Sequence, residues 1–208
     1  MLVVGLGNPG PRYAASRHNA GALVVERLAE RRRVALDEHR FEGRFGQGRV
    51  GTTSVALLLP ETFMNRSGEA VGDAVEGLPL ADPARDLLVV YDDLDLPFGR
   101  LRLRPSGGSG GHRGMADVMV HLAALGVAEE GRGFPRLRVG IGRPPPGADP
   151  VAWVLAPFGP DERARLPGVL DAGAAAVEAV LREGVEAAMN RVNRPPAEPA
   201  APEDPAAG

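Results

Sequence analysis

The chain of 208 residues contains no cysteine, which excludes disulfides, thiol nucleophiles and thiolate metal sites. Lysine is also absent: all 24 cationic side chains are arginine, so any phosphate gripped here meets a planar, bidentate guanidinium and not a point charge. A general bias toward Gly, Ala, Pro and Arg is sufficient to account for the missing lysine. There is no long hydrophobic run. LLVV (87–90) and VALLL (55–59) fall far short of the roughly 20 residues that a membrane helix requires. The opening MLVVGLGNPG has neither the basic segment nor the small-residue cleavage site of a signal peptide, which leads us to expect a cytoplasmic protein without a membrane partner. Nor is there an excess of one charge. A formal net charge of -3 excludes an indiscriminate polycation, although a local basic patch could still recognise nucleic acid.

What is present is the composition of one globular domain. With 44% hydrophobic and 25% charged residues, the chain can bury a core, and its length does not require a second domain. The end differs: from Arg194 the sequence RPPAEPAAPEDPAAG has no apolar period with which to recover ordering entropy. We therefore expect a domain over 1–193 and a disordered, acidic Pro/Ala-rich tail over 194–208.

Hydrophobic periodicity predicts strands at LVVGL (2–6), RFGQGRV (44–50), SVALLL (54–59), DLLVVYDD (86–93), LRLR (101–104) and RLRVGIG (136–142). Helices are predicted after Ser16 (Ala22, Val25, Leu28 and Ala29 on one face), over 65–78, around 115–125, and over 161–192 with an irregular start at Pro167 and Gly173. Strands alternating with helices, with one hairpin inserted, give α/β: a single domain with a twisted mixed β-sheet flanked by helices.

Several motifs could carry chemistry. Gly5-x-Gly7-x-x-Gly10 formally satisfies the dinucleotide fingerprint, with acids in VALDE (34–38) at ribose distance, and so admits a nicotinamide-dependent oxidoreductase. Against this, Pro9 and Pro11 stand where a phosphate-binding helix should begin, leaving a turn that presents Asn8 at the end of the first strand. Gly107-Gly108-Ser109-Gly110-Gly111 formally matches a nucleophile elbow, but His112 and His121 follow too closely to complete that triad in its usual order. A glycine loop whose N–H groups approach an anionic or carbonyl ligand, or a plain connector, fits better. Asp92, Asp93 and Asp95 at a strand end could bind Mg²⁺ or form a turn. His18, His39, His112 and His121 show no zinc spacing. More economical is one Asp paired with an imidazole, which fixes the tautomer and leaves the other ring nitrogen to take a proton from water. His18, at a helix start near the Asn8 turn, is the best candidate.

Five segments, GLGNPGPRYAASRHNAG (5–21), LPETFMNRSGEAV (59–71), VVYDDLDLPFGRLRLRPSGGSGGHRG (89–114), RLRVGIGRP (136–144) and VAWVLAPF (151–158), together resemble the bacterial peptidyl-tRNA hydrolase family. The resemblance implies an esterase, free of cofactor and metal, that releases the peptide from peptidyl-tRNA; it implies no DNA partner, and we expect a monomer. It implies His18 as catalytic base, Asp92 as its partner and Asn8 as a further catalytic group. The substrate-binding set would be Tyr13 near the tRNA 3′ end, Met64 as an apolar platform, Asn65, and Gly110, His112 and Arg113 of the glycine loop. Arg102, Arg104 and Arg138 fall where the family binds tRNA phosphates. One position departs: Arg113 stands where the family commonly has a site asparagine, and a guanidinium donates but cannot accept. That departure is the one support for a rival reading, an RNA-binding relative with weakened catalysis.

Overall fold

A computed structural model describes residues 1–127 and 129–194 of the chain; the expected tail beyond Arg194 lies outside the described residues. In chain order the strands are β1 (Leu2–Gly5), β2 (Glu38–Arg40), β3 (Gly43–Val50), β4 (Thr53–Pro60), β5 (Leu87–Asp93), β6 (Leu101–Arg104) and β7 (Arg136–Gly140). The helices are α1 (Ala20–Arg32), α2 (Ser67–Gly77), α3 (Pro83–Asp86), α4 (Arg113–Ala124), α5 (Pro150–Leu155), α6 (Pro160–Glu183) and α7 (Val185–Val192), with short 3-10 turns before α1 and α2.

The strands form one mixed sheet in the order β2-β3-β4-β1-β5-β7-β6. β1 runs parallel to both β4 and β5, and β5 parallel to β7. The β3–β4 hairpin is antiparallel as expected, and β6 adds a second antiparallel edge against β7. β1 and β5 are buried along their whole length, which explains their unbroken apolar runs: both faces of a central parallel strand are covered. On one face Val3, Leu88 and Val90 pack beneath Val24 and Leu28 of α1 and Val177 and Val180 of α6. On the other, Leu2, Val4, Leu87 and Val89 meet Val71 and Val75 of α2 and Met115, Val118 and Leu122 of α4.

Glycines set the closest approach. A Cβ on Gly21, in the first turn of α1, would stand 2.2 Å from the Val90 carbonyl oxygen, so only glycine lets this helix start against β5. The terminal helix does not break where the sequence reading placed its irregularity. Gly173 lies inside α6, where its missing side chain admits Val24, and the break falls at Gly184, whose φ of 82° ends α6 and starts α7. β2 is a strand that periodicity gave no reason to expect, since all three of its residues are exposed at the sheet edge.

Candidate active site

The loops leaving the C-terminal ends of the three central parallel strands converge, as open α/β sheets place their sites. Asn8 follows β1, Met64 and Asn65 follow β4, and Asp92 is the penultimate residue of β5. Together with Tyr13, His18, Gly110, His112 and Arg113 they line one cavity of about 410 Å³. Every residue expected of the catalytic and substrate-binding sets is therefore in one place; Arg102, Arg104 and Arg138 are outside the cavity lining.

His18 sits in the 3-10 turn Arg17–Asn19 that precedes α1, and its Nδ1 lies 2.8 Å from Asp92 Oδ1. With Asp92 ionised, Nδ1–H donates to it and Nε2 carries the lone pair, with no hydrogen-bond partner among the described residues. Burial pushes the Asp92 carboxyl up, but the imidazoles of His112 and His18 more than offset this and hold it well below the usual carboxylate range. Asp92 is thus a buried anion at neutral pH. Replacing it with Asn is expected to reduce kcat while leaving the imidazole in place, which steady-state kinetics would measure. Because the folded carboxyl titrates below its unfolded value, its charge contributes stability above about pH 4 that is lost as the pH falls further. The melting-temperature difference between wild type and Asp92→Asn should accordingly shrink on acidification.

Asn8 is oriented by three bonds. The Asn19 side chain clamps its backbone, accepting from Asn8 N–H at 2.9 Å and donating to its carbonyl at 3.0 Å. Asn8 Oδ1 accepts the Met64 N–H at 2.9 Å, which fixes the amide flip and leaves both Nδ2 protons available to a ligand oxygen. Asn19 is a support that periodicity did not single out, although it lies in the RHNAG segment. Arg17 is another. Its guanidinium stacks 3.6 Å from the centre of the Trp153 ring and pairs with Glu162 at 2.7 Å, fastening the His18 turn to α5 and α6. Asp149 caps α5 by accepting from Val151 and Ala152 N–H, and Val151, Val154 and Leu155 of that helix form a cavity wall.

The structure bears on three readings of the sequence. The dinucleotide reading fails because β1 leads into fourteen residues of turn and 3-10 structure before α1, so no helix N-terminus meets the glycine motif. Asp93 and Asp95 form a turn, with Asp95 N–H on Asp93 Oδ1 at 2.8 Å, and are paired with Arg138 and Arg143 respectively, so they are not arranged around a cation. His112, expected to touch substrate, has both ring nitrogens committed: Nε2 to Asp92 Oδ1 at 2.9 Å and Nδ1 to the Met115 N–H at 3.1 Å. Only its ring face remains for a ligand.

The fold brings His18, Asp92 and His112 together although 74 and 20 residues separate the two histidines from Asp92, a grouping invisible to spacing rules. Such a trio could in principle ligate a metal. Its outer contacts oppose this: a metal-bound imidazole carries its proton on the other nitrogen, and in His112 that nitrogen faces a backbone N–H.

An α/β sheet with a carboxylate-oriented imidazole and a free amide donor at its strand ends has the groups that general-base hydrolysis uses. The family model for peptidyl-tRNA hydrolase matches residues 2–200, and the chain belongs to the peptidyl-tRNA hydrolase family. The peptidyl-tRNA hydrolase of Symbiobacterium thermophilum is 52% identical over 194 residues, covering 92% of this chain and 98% of its own. That of a Synechococcus species is 53% identical, covering 93% and 82%. Among solved structures, peptidyl-tRNA hydrolase from Acinetobacter baumannii superposes with a TM-score of 0.81 at 37% identity, covering 92% of this chain and 93% of that one. Neither an oxidoreductase nor a non-catalytic RNA-binding protein is favoured by these relatives. Among the described residues, no helix is long and apolar enough to cross a membrane.

Proposed function

We propose that this chain performs its family's hydrolysis by general-base attack of water on the ester joining the peptide's C-terminal carbonyl to the tRNA ribose hydroxyl. His18 Nε2 takes the proton from water, Asp92 orients and stabilises the resulting imidazolium, and the Asn8 amide donates to the oxyanion. The observation carrying this reading is the His18 Nδ1–Asp92 Oδ1 bond on a buried carboxylate that opens into the cavity. A positioned base supplies about 10²- to 10⁴-fold, and one oxyanion donor about 3 kcal/mol. The tetrahedral intermediate expels the ribose oxygen, which takes the proton back from the His18 imidazolium; an alkoxide leaves more readily than the amide anion of a peptide bond, so water can attack the ester directly.

Tyr13, Met64, Asn65 and Gly110 would contact the aminoacyl and 3′-terminal portion of the substrate. Met64 is buried under its loop and offers an apolar floor, whereas Asn65 is exposed, with its side-chain amide unbonded among the described residues. Arg113 is exposed at the first position of α4 and pairs with no described carboxylate, which suits an anionic part of the substrate. Arg102 and Arg104 would receive tRNA phosphates, whereas Arg138, which the resemblance puts with them, is committed to Asp93. Phosphate contacts position the body of the substrate without reading bases. Because the substrate is released by ribosomes and one chain supplies every proposed group, we further propose a cytoplasmic monomer.

Incubating the purified protein with peptidyl-tRNA in the presence of a chelator is expected to release free peptide and intact tRNA. Absence of cleavage would refute the reaction, and cleavage that disappears with chelator and returns with one particular metal would refute the mechanism.

A further inference from the structure

We infer that His112 is a positioning residue, locked in one neutral tautomer by the first turn of α4, which holds the Asp92 carboxylate for His18. The inference rests on the general-base reading above. His112 is the N-cap of α4, and it caps through its ring: the Met115 N–H donates to Nδ1 at 3.1 Å. A ring nitrogen that accepts a hydrogen bond bears no proton, so the single imidazole proton is on Nε2. That proton is donated to Asp92 Oδ1 at 2.9 Å. A second proton on Nδ1 would oppose the Met115 N–H donor to donor and orphan one amide of the helix N-terminus.

The surroundings hold the ring in this pose. The side chain is 7% exposed, Tyr91 packs edge-on with ring centres 5.0 Å apart, and the His18 ring lies 4.8 Å away. A Cβ on Gly114 would stand 2.5 Å from Met64 Sδ and 3.1 Å from His112 Cε1, so glycine there leaves room for both side chains.

The two histidines on one carboxylate oxygen are therefore unequal. Both ring nitrogens of His112 are occupied by fixed partners, whereas His18 Nε2 is unbonded among the described residues and is the nitrogen able to exchange a proton with a ligand. Two donors on Oδ1, from β5's two sides, fix the rotation of the carboxylate, and that rotation sets the direction in which His18 points. The α4 helix thereby determines the aim of the base without touching the reacting atoms.

The test has two parts. In protein labelled with ¹⁵N-histidine at neutral pH, His112 is expected to give the signature of an unprotonated Nδ1 and a protonated Nε2; a charged ring or an Nδ1–H tautomer would overturn the proposal. His112→Asn keeps a good N-cap for α4 but removes the donor to Asp92. It is expected to lower kcat about 10- to 100-fold, the scale of a small misalignment of a catalytic group, with KM and melting temperature nearly unchanged. An unchanged kcat would overturn the positioning role, and so would a rise in KM alone, which would make His112 a substrate contact. The tautomer is read from the resting protein, so it stands or falls independently of the base assignment, whose own failure would appear as full turnover by a His18→Ala variant.

Discussion

Replacing His18 by alanine is expected to lower kcat on peptidyl-tRNA by about 10²- to 10⁴-fold, the contribution typical of a positioned general base. KM should change little, because the imidazole acts on water and not on the groups that hold the tRNA or the peptide. The fold should survive. His18 is largely buried, but it lies in a 3-10 turn at the rim of the sheet, and the contacts that anchor this turn belong to its neighbours Arg17 and Asn19. Rapid-quench or steady-state measurement of peptide release, beside a thermal melt, separates the outcomes. Turnover near wild type would move the base elsewhere, and a collapsed melting temperature would show that the ring acts as packing. In the variant, Asp92 keeps one of its two donors through His112, so the buried carboxylate is not left unpaired, which limits the stability loss.

How much of this was legible in the sequence depends on the range over which each signal acts. β1, β5 and β6 announce themselves because burial on both faces gives LVVG and LLVVY, and burial on one face gives the alternation of LRLR. The helices α1, α2 and α4 follow from local period and stand within a few residues of their expected limits. β2 did not, since an exposed three-residue edge strand owes its conformation to pairing with β3. α6 was expected to start irregularly at Pro167, yet the helix runs through it. The residues preceding Pro167 in α6 are largely exposed, so the carbonyl freed by the missing N–H has water as a partner.

Within the site, residue types and chain position pointed to Asn8, His18 and Asp92, but only the resemblance joined them. Physical spacing could not pair His18 with Asp92, because their contact is made by bringing the α1 entrance onto β5, a closure that depends on the absence of a side chain at Gly21. The supporting residues were less visible still. Asn19, Arg17 and Met115 act through backbone groups or stacking, and a backbone acceptor leaves no complementary side chain to search for. The second bond to Asp92 belongs to the same kind: only the family resemblance put His112 among the substrate residues, and its capping geometry appears only once α4 is placed.

The second large effect is expected on the edge of the sheet. Arg102 stands directly opposite Arg138, and Arg104 opposite Arg136, in the β6–β7 ladder, so four guanidiniums occupy one face while Leu103 and Leu137 point into the core. Like charges placed opposite each other cost stability, and the chain relieves only two of the four. Arg136 is buried against the carbonyls of Gly107, Gly108 and Arg132, and Arg138 is paired with Asp93. Arg102 and Arg104 make no ion pair among the described residues, which leaves them to an external anion. If that anion is the tRNA backbone, the Arg102→Gln, Arg104→Gln double variant should raise KM on full-length peptidyl-tRNA about 10-fold or more. It should also flatten the dependence of log(kcat/KM) on log salt by about 0.7 to 0.9 for each lost contact. On a peptidyl nucleoside without a tRNA body the same protein should match wild type, because only uniform binding has been removed. Arg138→Gln should behave differently. It uncovers the Asp93 carboxylate beside Asp92, so its damage should reach kcat and appear on both substrates. Equal losses on both substrates for the double variant would assign these arginines to the site or to folding, and unchanged kinetics on both would return them to a merely solvated strand face.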